Sequence, residues 1–161
     1  MVDDLGLETA EAVLEYGPGT GAFTPHILRE LRSGARFAAI ELNPEFAQVF
    51  KSRFPQVALF EDSVANARTI CDSAEIESVD CIVCGLPWAA FSESLQVKFL
   101  DEMMRVLKPG GRFVTFAYVH GLPLPAARRF AALLPNYFSG VTRSPVVWKN
   151  VPPAFVYRCR R

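Results

Sequence analysis

Three glycines at alternate positions follow a short apolar run near the amino end of the chain. Residues 13–16 read VLEY and residues 17–21 read GPGTG. This pattern predicts a buried strand, a tight turn and a helix that begins near Pro25. Glycines in such a turn supply positive φ angles, and because they lack a Cβ atom they let a ligand approach the backbone. A plain tight turn is the alternative interpretation.

A second apolar run, residues 36–40, ends at another acid, Glu41. Its separation from the glycine turn is close to the offset of about 20 residues at which an acid meets a ribose in dinucleotide-binding folds. A carboxylate suits that position because it can accept hydrogen bonds from both ribose hydroxyls. The two motifs together predict a nucleoside-binding site, and a solvated carboxylate at a strand end is the alternative.

Strand-like and helix-like segments then alternate along the chain. We predict helices over residues 25–31, 44–54, 94–106 and 125–133, a turn over 109–111, and strands over 13–16, 36–41, 57–60, 79–84, 112–118, 141–148 and 154–160. In open α/β sheets, ligands bind outside the carboxyl ends of the strands. The polar and glycine-rich segments that follow the first four strands are therefore expected to form one site.

The order of these motifs resembles the class I S-adenosylmethionine-dependent methyltransferases. The glycine turn, Glu41, the Asp62-Ser63 pair and residues 106–113 (VLKPGGRF) carry the resemblance. A dehydrogenase would more often show the spacing G-x-G-x-x-G, whereas this chain has G-x-G-x-G. The resemblance implies an α/β fold: a Rossmann-like three-layer sandwich around a mostly parallel seven-stranded sheet with an antiparallel C-terminal edge strand. It also implies one methyltransferase domain over residues 1–161.

S-adenosylmethionine is the cofactor that the resemblance implies. Glu15 would lie near its amino group, the glycine turn would pass under its methionine part, Glu41 would hold the ribose, and Asp62 would accept from the adenine amino group. The cofactor-binding residues expected in this way are Glu15, Gly17, Pro18, Gly19, Thr20, Gly21, Glu41, Leu42, Asp62, Ser63, Gly85 and Leu86. No metal is expected.

Residues 84–88, which read CGLPW, concern the methyl acceptor. Enzymes that methylate adenine amino groups, including ribosomal RNA adenine dimethyltransferases, carry Asn or Asp where this chain has Gly85. The GLP segment and residues 147–157 instead resemble bacterial phospholipid N-methyltransferases, which methylate phosphatidylethanolamine. The resemblance therefore implies a lipid or small aliphatic amine as substrate, with nucleic acid disfavoured. An RNA or protein methyltransferase and a non-catalytic S-adenosylmethionine-binding subunit are the alternatives.

Methylation of an alkylamine requires that a proton leave, because such amines have a pKa near 10. Tyr118 ends the predicted strand 112–118 and His120 lies just past it, and both are candidate proton acceptors. Trp88 and Phe91 are candidates for cation–π contact with a methylated ammonium. Tyr118, His120 and Trp88 are thus the predicted catalytic residues, with an ordinary loop histidine and an apolar lid as the alternatives.

Composition limits the partners and the location. The 17 basic and 17 acidic residues balance, so no overall basic surface for nucleic acid is expected. Arg128, Arg129 and the arginines among residues 158–161 are a candidate basic rim for a phosphate or an anionic membrane. Cys81 and Cys84 lie three apart on a predicted strand and so face opposite sides, which favours buried thiols over a metal or redox pair.

No run of 18 apolar residues and no secretory signal occurs in the sequence. We expect a cytoplasmic protein, and peripheral contact with the inner membrane face and a homodimer are open alternatives. Few residues precede the first predicted strand, so the amino-terminal lid helices of relatives are expected to be short or absent.

Overall fold

Over Val2 and residues 5–161, which the computed structural model describes, seven strands form one sheet in the order β3-β2-β1-β4-β5-β7-β6. Strands β1 to β5 run parallel, and β7 runs antiparallel to both β5 and β6. The strands are β1 (Ala12–Tyr16), β2 (Arg36–Ile40), β3 (Ala58–Phe60), β4 (Val79–Cys84), β5 (Leu107–Tyr118), β6 (Gly140–Arg143) and β7 (Ala154–Arg160). Met1, Asp3 and Asp4 of the predicted domain lie outside the described residues.

The helices connect these strands and cover both faces of the sheet. They are α1 (Thr24–Glu30), α2 (Pro44–Arg53), α3 (Ala67–Ser73), α4 (Glu93–Val106) and α5 (Pro125–Tyr137), with short 3₁₀ turns at Val64–Asn66, Trp88–Ala90 and Val119–Gly121. Asn43 caps α2 by accepting from the backbone N–H groups of Glu45 and Phe46, and Ser92 caps α4 at Leu95. Helix α2 begins shortly after β2, and α4 begins after the 3₁₀ turn that follows β4, so both helices start on the carboxyl side of the sheet.

The sheet separates two apolar layers, and successive residues of one strand enter different layers. Leu14 and Ile82 pack in the larger cluster with α4 and α5, while Val13 and Val83 pack in the other cluster with α1. Because both faces are covered, these parallel strands read as continuous apolar runs. Cys81 and Cys84 fall in different clusters, and all four cysteines are free and buried, as predicted.

The mostly parallel seven-stranded sheet is confirmed, and its closing strands differ in detail from the prediction. The antiparallel strand β7 lies between β5 and the edge strand β6. Strand β6 ends at Arg143 rather than at 148, because Ser144 Oγ accepts from the N–H of Val156 and Pro145 has no N–H to continue the ladder. Residues 144–153 therefore form a loop, which stays attached to β7 through the bond from the N–H of Ser144 to the carbonyl of Val156 and through the bridge between Val147 and Ala154.

The bounds of β5 and α5 also differ from the prediction. Strand β5 begins at Leu107, and the predicted turn 109–111 is a bulge within it, since Val79 pairs with Leu107 and Cys81 already pairs with Arg112. Helix α5 continues to Tyr137, through Pro135. Among the described residues, no helix has both the length and the apolar character needed to cross a membrane.

Candidate active site

The glycine turn joins β1 to α1 at the point where the strand order reverses between β1 and β4. Gly19 has a φ of +58°, a left-handed conformation that glycine adopts without strain. A Cβ atom built on Gly19 would meet nothing within 4 Å. The turn therefore presents bare backbone to open space, which suits a ligand that lies against it.

Glu15 lies on β1 just before this turn and is completely buried. Its Oε2 atom accepts a hydrogen bond of 2.7 Å from the Thr24 hydroxyl, whereas its Oε1 atom has no partner among the described residues. Burial raises the pKa of Glu15 to about 7, although the bond from Thr24 opposes the rise. A buried acceptor without a partner marks a place where a ligand donor fits.

Glu41 follows β2, and the sequence did not predict the contacts that it makes. Its two carboxylate oxygens accept backbone hydrogen bonds of 2.9 Å, one from Gly19 and one from Asn43. The Glu41 side chain thus links the glycine turn to the segment that precedes α2. Carboxylate oxygens have further lone pairs, so the predicted bonds to a ribose remain compatible with this arrangement.

Asp62 and Ser63 follow β3 and organise the next turn. Asp62 Oδ1 accepts from the N–H of Ser63 and from the side-chain amide of Asn66, at 2.6 and 2.8 Å, and Ser63 Oγ accepts from Ala65. Leu42 is 72% exposed at the same edge of the sheet. The structure thus brings the predicted residues to one edge, and the assignment of adenine to Asp62 stays a prediction.

Gly85, at the end of β4, lies directly against the glycine turn. Its N–H donates to the carbonyl of Tyr16 at 2.7 Å, and a Cβ atom on Gly85 would lie 2.4 Å from the carbonyl oxygen of Gly17. No side chain fits there unless the turn moves. Gly85 is therefore required because two backbones approach each other closely at this point. This requirement explains the absence of Asn or Asp at position 85 without reference to the methyl acceptor.

A cavity of about 150 Å³ opens beside this site at the carboxyl ends of β4 and β5. Its lining consists of Leu86, Pro87, Trp88, Ala89, Phe116, Ala117, Tyr118, His120, Gly121, Leu122, Leu124, Ala127, Phe130 and Tyr157. Among these described residues none is Asp, Glu, Lys or Arg. The cavity, called the acceptor pocket below, is therefore apolar with a few neutral polar groups.

All three predicted catalytic residues line the acceptor pocket. The rings of Tyr118 and His120 stack with centroids 5.5 Å apart, and both side chains reach solvent. Each can therefore exchange a proton between the pocket and water, and the exchange itself stays a prediction.

Trp88 lines the pocket from within the apolar core. It is 4% exposed, and Phe130 stacks on its ring at 4.3 Å, while Phe91 meets it edge-on and lies outside the pocket lining. The ring is thus packed into the core and forms a wall of the pocket. Because Phe91 does not line the pocket, the predicted cation–π contact with an ammonium group stays a prediction for Trp88.

Tyr157 is a pocket residue that the sequence did not reveal. It lies on β7 opposite Thr115 of β5, so it reaches the pocket only through strand pairing between distant segments. The Arg143 guanidinium lies 5.0 Å from its ring centroid, and burial raises the pKa of Tyr157. No local motif marks such a residue.

The predicted basic rim stays a prediction, and the structure separates the arginines that were assigned to it. Arg160 pairs with Arg112 of β5, which lies about 20 Å along the strand from Tyr118 at the carboxyl end of β5. Arg161 donates to the carbonyl of Met104, in the last turn of α4. Arg160 and Arg161 thus lie toward the opposite end of the sheet from the pocket, because β7 runs antiparallel. Arg158 pairs with Val114 in the middle of β5, and Arg128 directly follows the pocket residue Ala127 on α5.

Comparisons with known proteins agree with this architecture. Residues 14–115 match the family model described as a methyltransferase domain. An ornithine lipid N-methyltransferase of Singulisphaera acidiphila is 32% identical over 164 residues, which cover 99% of this chain and 80% of that protein. A ribosomal RNA small subunit methyltransferase A of Chlorobaculum parvum is 38% identical over 61 residues, which cover 38% of this chain and 21% of that protein.

Among solved structures, the O-methyltransferase of Bacillus cereus in complex with SAH superposes with a TM-score of 0.74 at 17% identity, over 96% of this chain and 76% of that one. The chain therefore belongs to the class I S-adenosylmethionine-dependent methyltransferases, and its cofactor is S-adenosylmethionine. The site fits that cofactor, since the unpartnered oxygen of Glu15 and the open space above Gly19 accommodate a ligand with an amino group.

Proposed function

We propose that this enzyme methylates the amine of a membrane lipid, such as phosphatidylethanolamine or an ornithine lipid. The chemistry of the acceptor pocket carries the proposal. A pocket without a carboxylate offers no partner for a protonated amine, and burial disfavours the charged form. The neutral amine, which is the nucleophile, is therefore the form that this pocket favours.

S-adenosylmethionine, when bound, supplies an electrophilic methyl group. The chain itself supplies the glycine turn beneath the cofactor, the desolvated pocket that holds the amine, and a route for the proton. His120 and Tyr118 are the proposed acceptors for that proton, since both line the pocket and reach solvent. Holding amine and cofactor in the reacting arrangement accounts for most of the expected rate enhancement.

Two observations favour a lipid over an RNA base. The clash at Gly85 leaves no room for the amide that would hold an adenine amine. The relative that matches nearly the whole chain is named an ornithine lipid N-methyltransferase, whereas the match to the ribosomal RNA enzyme covers 38% of the chain. Both lipids named above carry a primary alkylamine, so the pocket chemistry applies to either.

The test compares methyl transfer to phosphatidylethanolamine, to an ornithine lipid and to undermethylated ribosomal RNA, with labelled S-adenosylmethionine in parallel reactions. We expect label in one or both lipids. Preferential labelling of the RNA would assign the enzyme to the adenine dimethyltransferase type. Cofactor binding without transfer to any acceptor would indicate a non-catalytic binding subunit.

His120→Asn tests the proton route. We expect kcat to fall by about 10²-fold or more, the usual contribution of a general base, and the pH profile of kcat to change. The other histidine of the chain provides the matched control: His26 is exposed on α1, so His26→Asn should leave kcat unchanged. Equal rates for both variants would remove His120 from the proton route.

A further inference from the structure

The loop 144–153, called the apolar loop below, presents large apolar side chains to solvent. Val147, Trp148 and Val151 are 54%, 72% and 93% exposed. Single exposed apolar residues are common on protein surfaces, but a contiguous group that includes a tryptophan indicates a surface that meets another apolar phase.

The backbone of the loop is held by hydrogen bonds, so these side chains are exposed by its conformation. The N–H of Val147 donates to the carbonyl of Ala154 at 2.8 Å, and the N–H of Asn150 donates to the carbonyl of Val147 at 3.2 Å. The Asn150 side-chain amide also donates to the carbonyl of Pro152 at 2.7 Å. The apolar loop therefore holds these side chains at the surface in a defined conformation.

The apolar loop lies beside the mouth of the acceptor pocket. Ala154, which follows the loop, pairs with Tyr118 of β5, and the N–H of Val119 donates to the carbonyl of Pro153 at 2.9 Å. Two pocket residues, Tyr118 and Leu124, are themselves 39% and 48% exposed. The apolar loop therefore adjoins the pocket mouth through Pro153 and Ala154, and both the loop and the mouth carry exposed apolar side chains.

The charges around this surface select its partner. The loop contains one charged residue, Lys149, and no acid, and Arg128 is exposed one helical turn beyond Leu124. Tryptophan beside lysine suits the boundary of a bilayer, where the indole ring lies at the level of the head groups and the ammonium meets anionic phosphates. An anionic lipid surface matches both features.

We propose that the apolar loop, with Tyr118 and Leu124, docks onto an anionic lipid surface and places the pocket mouth at the head groups. This inference deepens the proposed function, on which it rests, because it describes how a lipid amine reaches the pocket without leaving the membrane. Docking itself requires neither the cofactor nor methyl transfer.

Sedimentation with vesicles of phosphatidylcholine and phosphatidylglycerol tests docking in the absence of cofactor. We expect Trp148→Ser and Val151→Ser each to weaken vesicle binding, by about tenfold for the tryptophan, because its ring is the largest apolar surface of the loop. Val49→Ser is the matched control, since Val49 is 44% exposed on α2, beyond β2 on the other side of the sheet. It should bind vesicles like the wild type.

Fluorescence provides a second measurement on the intact chain. Of the two tryptophans, Trp88 is buried and Trp148 is exposed, so a blue shift on addition of vesicles reports on Trp148. We expect this shift in the wild type and its loss in Trp148→Phe. A wild type that shows no shift, or vesicle binding that is equal in both serine variants and the control, would overturn the docking surface.

The remaining outcomes separate the two proposals. A stable homodimer that shields Trp148 from a soluble quencher would assign the surface to a second copy and overturn docking. Vesicle binding that depends on Trp148, without methylation of any lipid, would support docking and refute the proposed function. If docking and lipid methylation are both correct, Trp148→Ser should reduce methylation of vesicle lipid but not of a water-soluble short-chain lipid.

Discussion

At the scale of single residues, Glu15 combines a structural cost with a binding role. Its carboxyl group is completely buried and has one oxygen without a partner among the described residues. Such burial destabilises the ionised form and is tolerated at functional sites, where a ligand later satisfies the group. The same feature that marks the cofactor site therefore makes the unliganded protein sensitive to pH.

The sign of this sensitivity follows from the raised pKa. Because the pKa of Glu15 is about 7 in the folded state, against 4.5 as its ordinary value, its contribution to stability is present below pH 4.5 and is lost as the pH rises through 7. We expect the unliganded wild type to lose up to about 3 kcal/mol from this group, at about 1.4 kcal/mol per pKa unit.

Urea unfolding at pH 5 and pH 8 measures the effect. Glu15→Gln, which does not ionise, should lack this loss, whereas Glu8→Gln at an exposed position should keep it. An identical pH dependence in the wild type and Glu15→Gln would show that the buried carboxyl group is not the source.

At the scale of elements, the pocket depends on how the turn Trp88–Ala90 is fastened to α5. The Trp88 ring stacks on Phe130, and the buried side-chain amide of Gln96 donates to the carbonyls of Trp88 and Ala126, at 2.8 and 3.0 Å. The Gln96 side chain of α4 therefore links the turn Trp88–Ala90 to the first turn of α5. These contacts form the inner wall of the pocket.

Removal of this wall should destabilise the fold. We expect Trp88→Ala to lower the free energy of unfolding by about 3–5 kcal/mol, the usual cost of truncating a buried aromatic side chain. Trp148→Ala, the matched control, should change it by less than about 0.5 kcal/mol because that ring is exposed. If Trp88→Ala retained stability yet lost methylation, the ring would instead act on the acceptor, as the sequence predicted.

At the scale of the whole molecule, one sheet joins all the apolar clusters. The larger cluster lies on the face covered by α4 and α5, and the smaller ones lie with α1 and α2 on the other face, so every cluster contains residues of the same sheet or of helices packed on it. If the strands of the sheet separate, the apolar side chains on both faces become exposed to water. Unfolding should therefore be cooperative across the chain.

This expectation can be checked with two probes. In a Trp148→Phe background, fluorescence reports only on Trp88, at the centre of the larger cluster, while far-UV circular dichroism reports on all helices and strands. We expect the two urea transitions to coincide. Separate midpoints would divide the chain into independently folding parts.

Several features of this protein follow from the sequence by itself, because they depend on local patterns. Continuous apolar runs located β1, β2 and β4 to within one residue, since strands buried on both faces leave no polar alternation. The bounds predicted for β7, 154–160, match the structure. The glycine turn and Glu41 were recognised from residue type and spacing, and both lie at the predicted edge of the sheet.

Other features were decided by the tertiary structure, because they arise where distant segments meet. Gly85 is required by a carbonyl of the β1 turn, and Tyr157 reaches the pocket through its pairing with β5. The antiparallel direction of β7 moves Arg160 to the far end of the sheet, and the packing of Phe130 closes one face of Trp88. Local sequence specifies which residues are buried, whereas strand order and register determine which buried residues become neighbours.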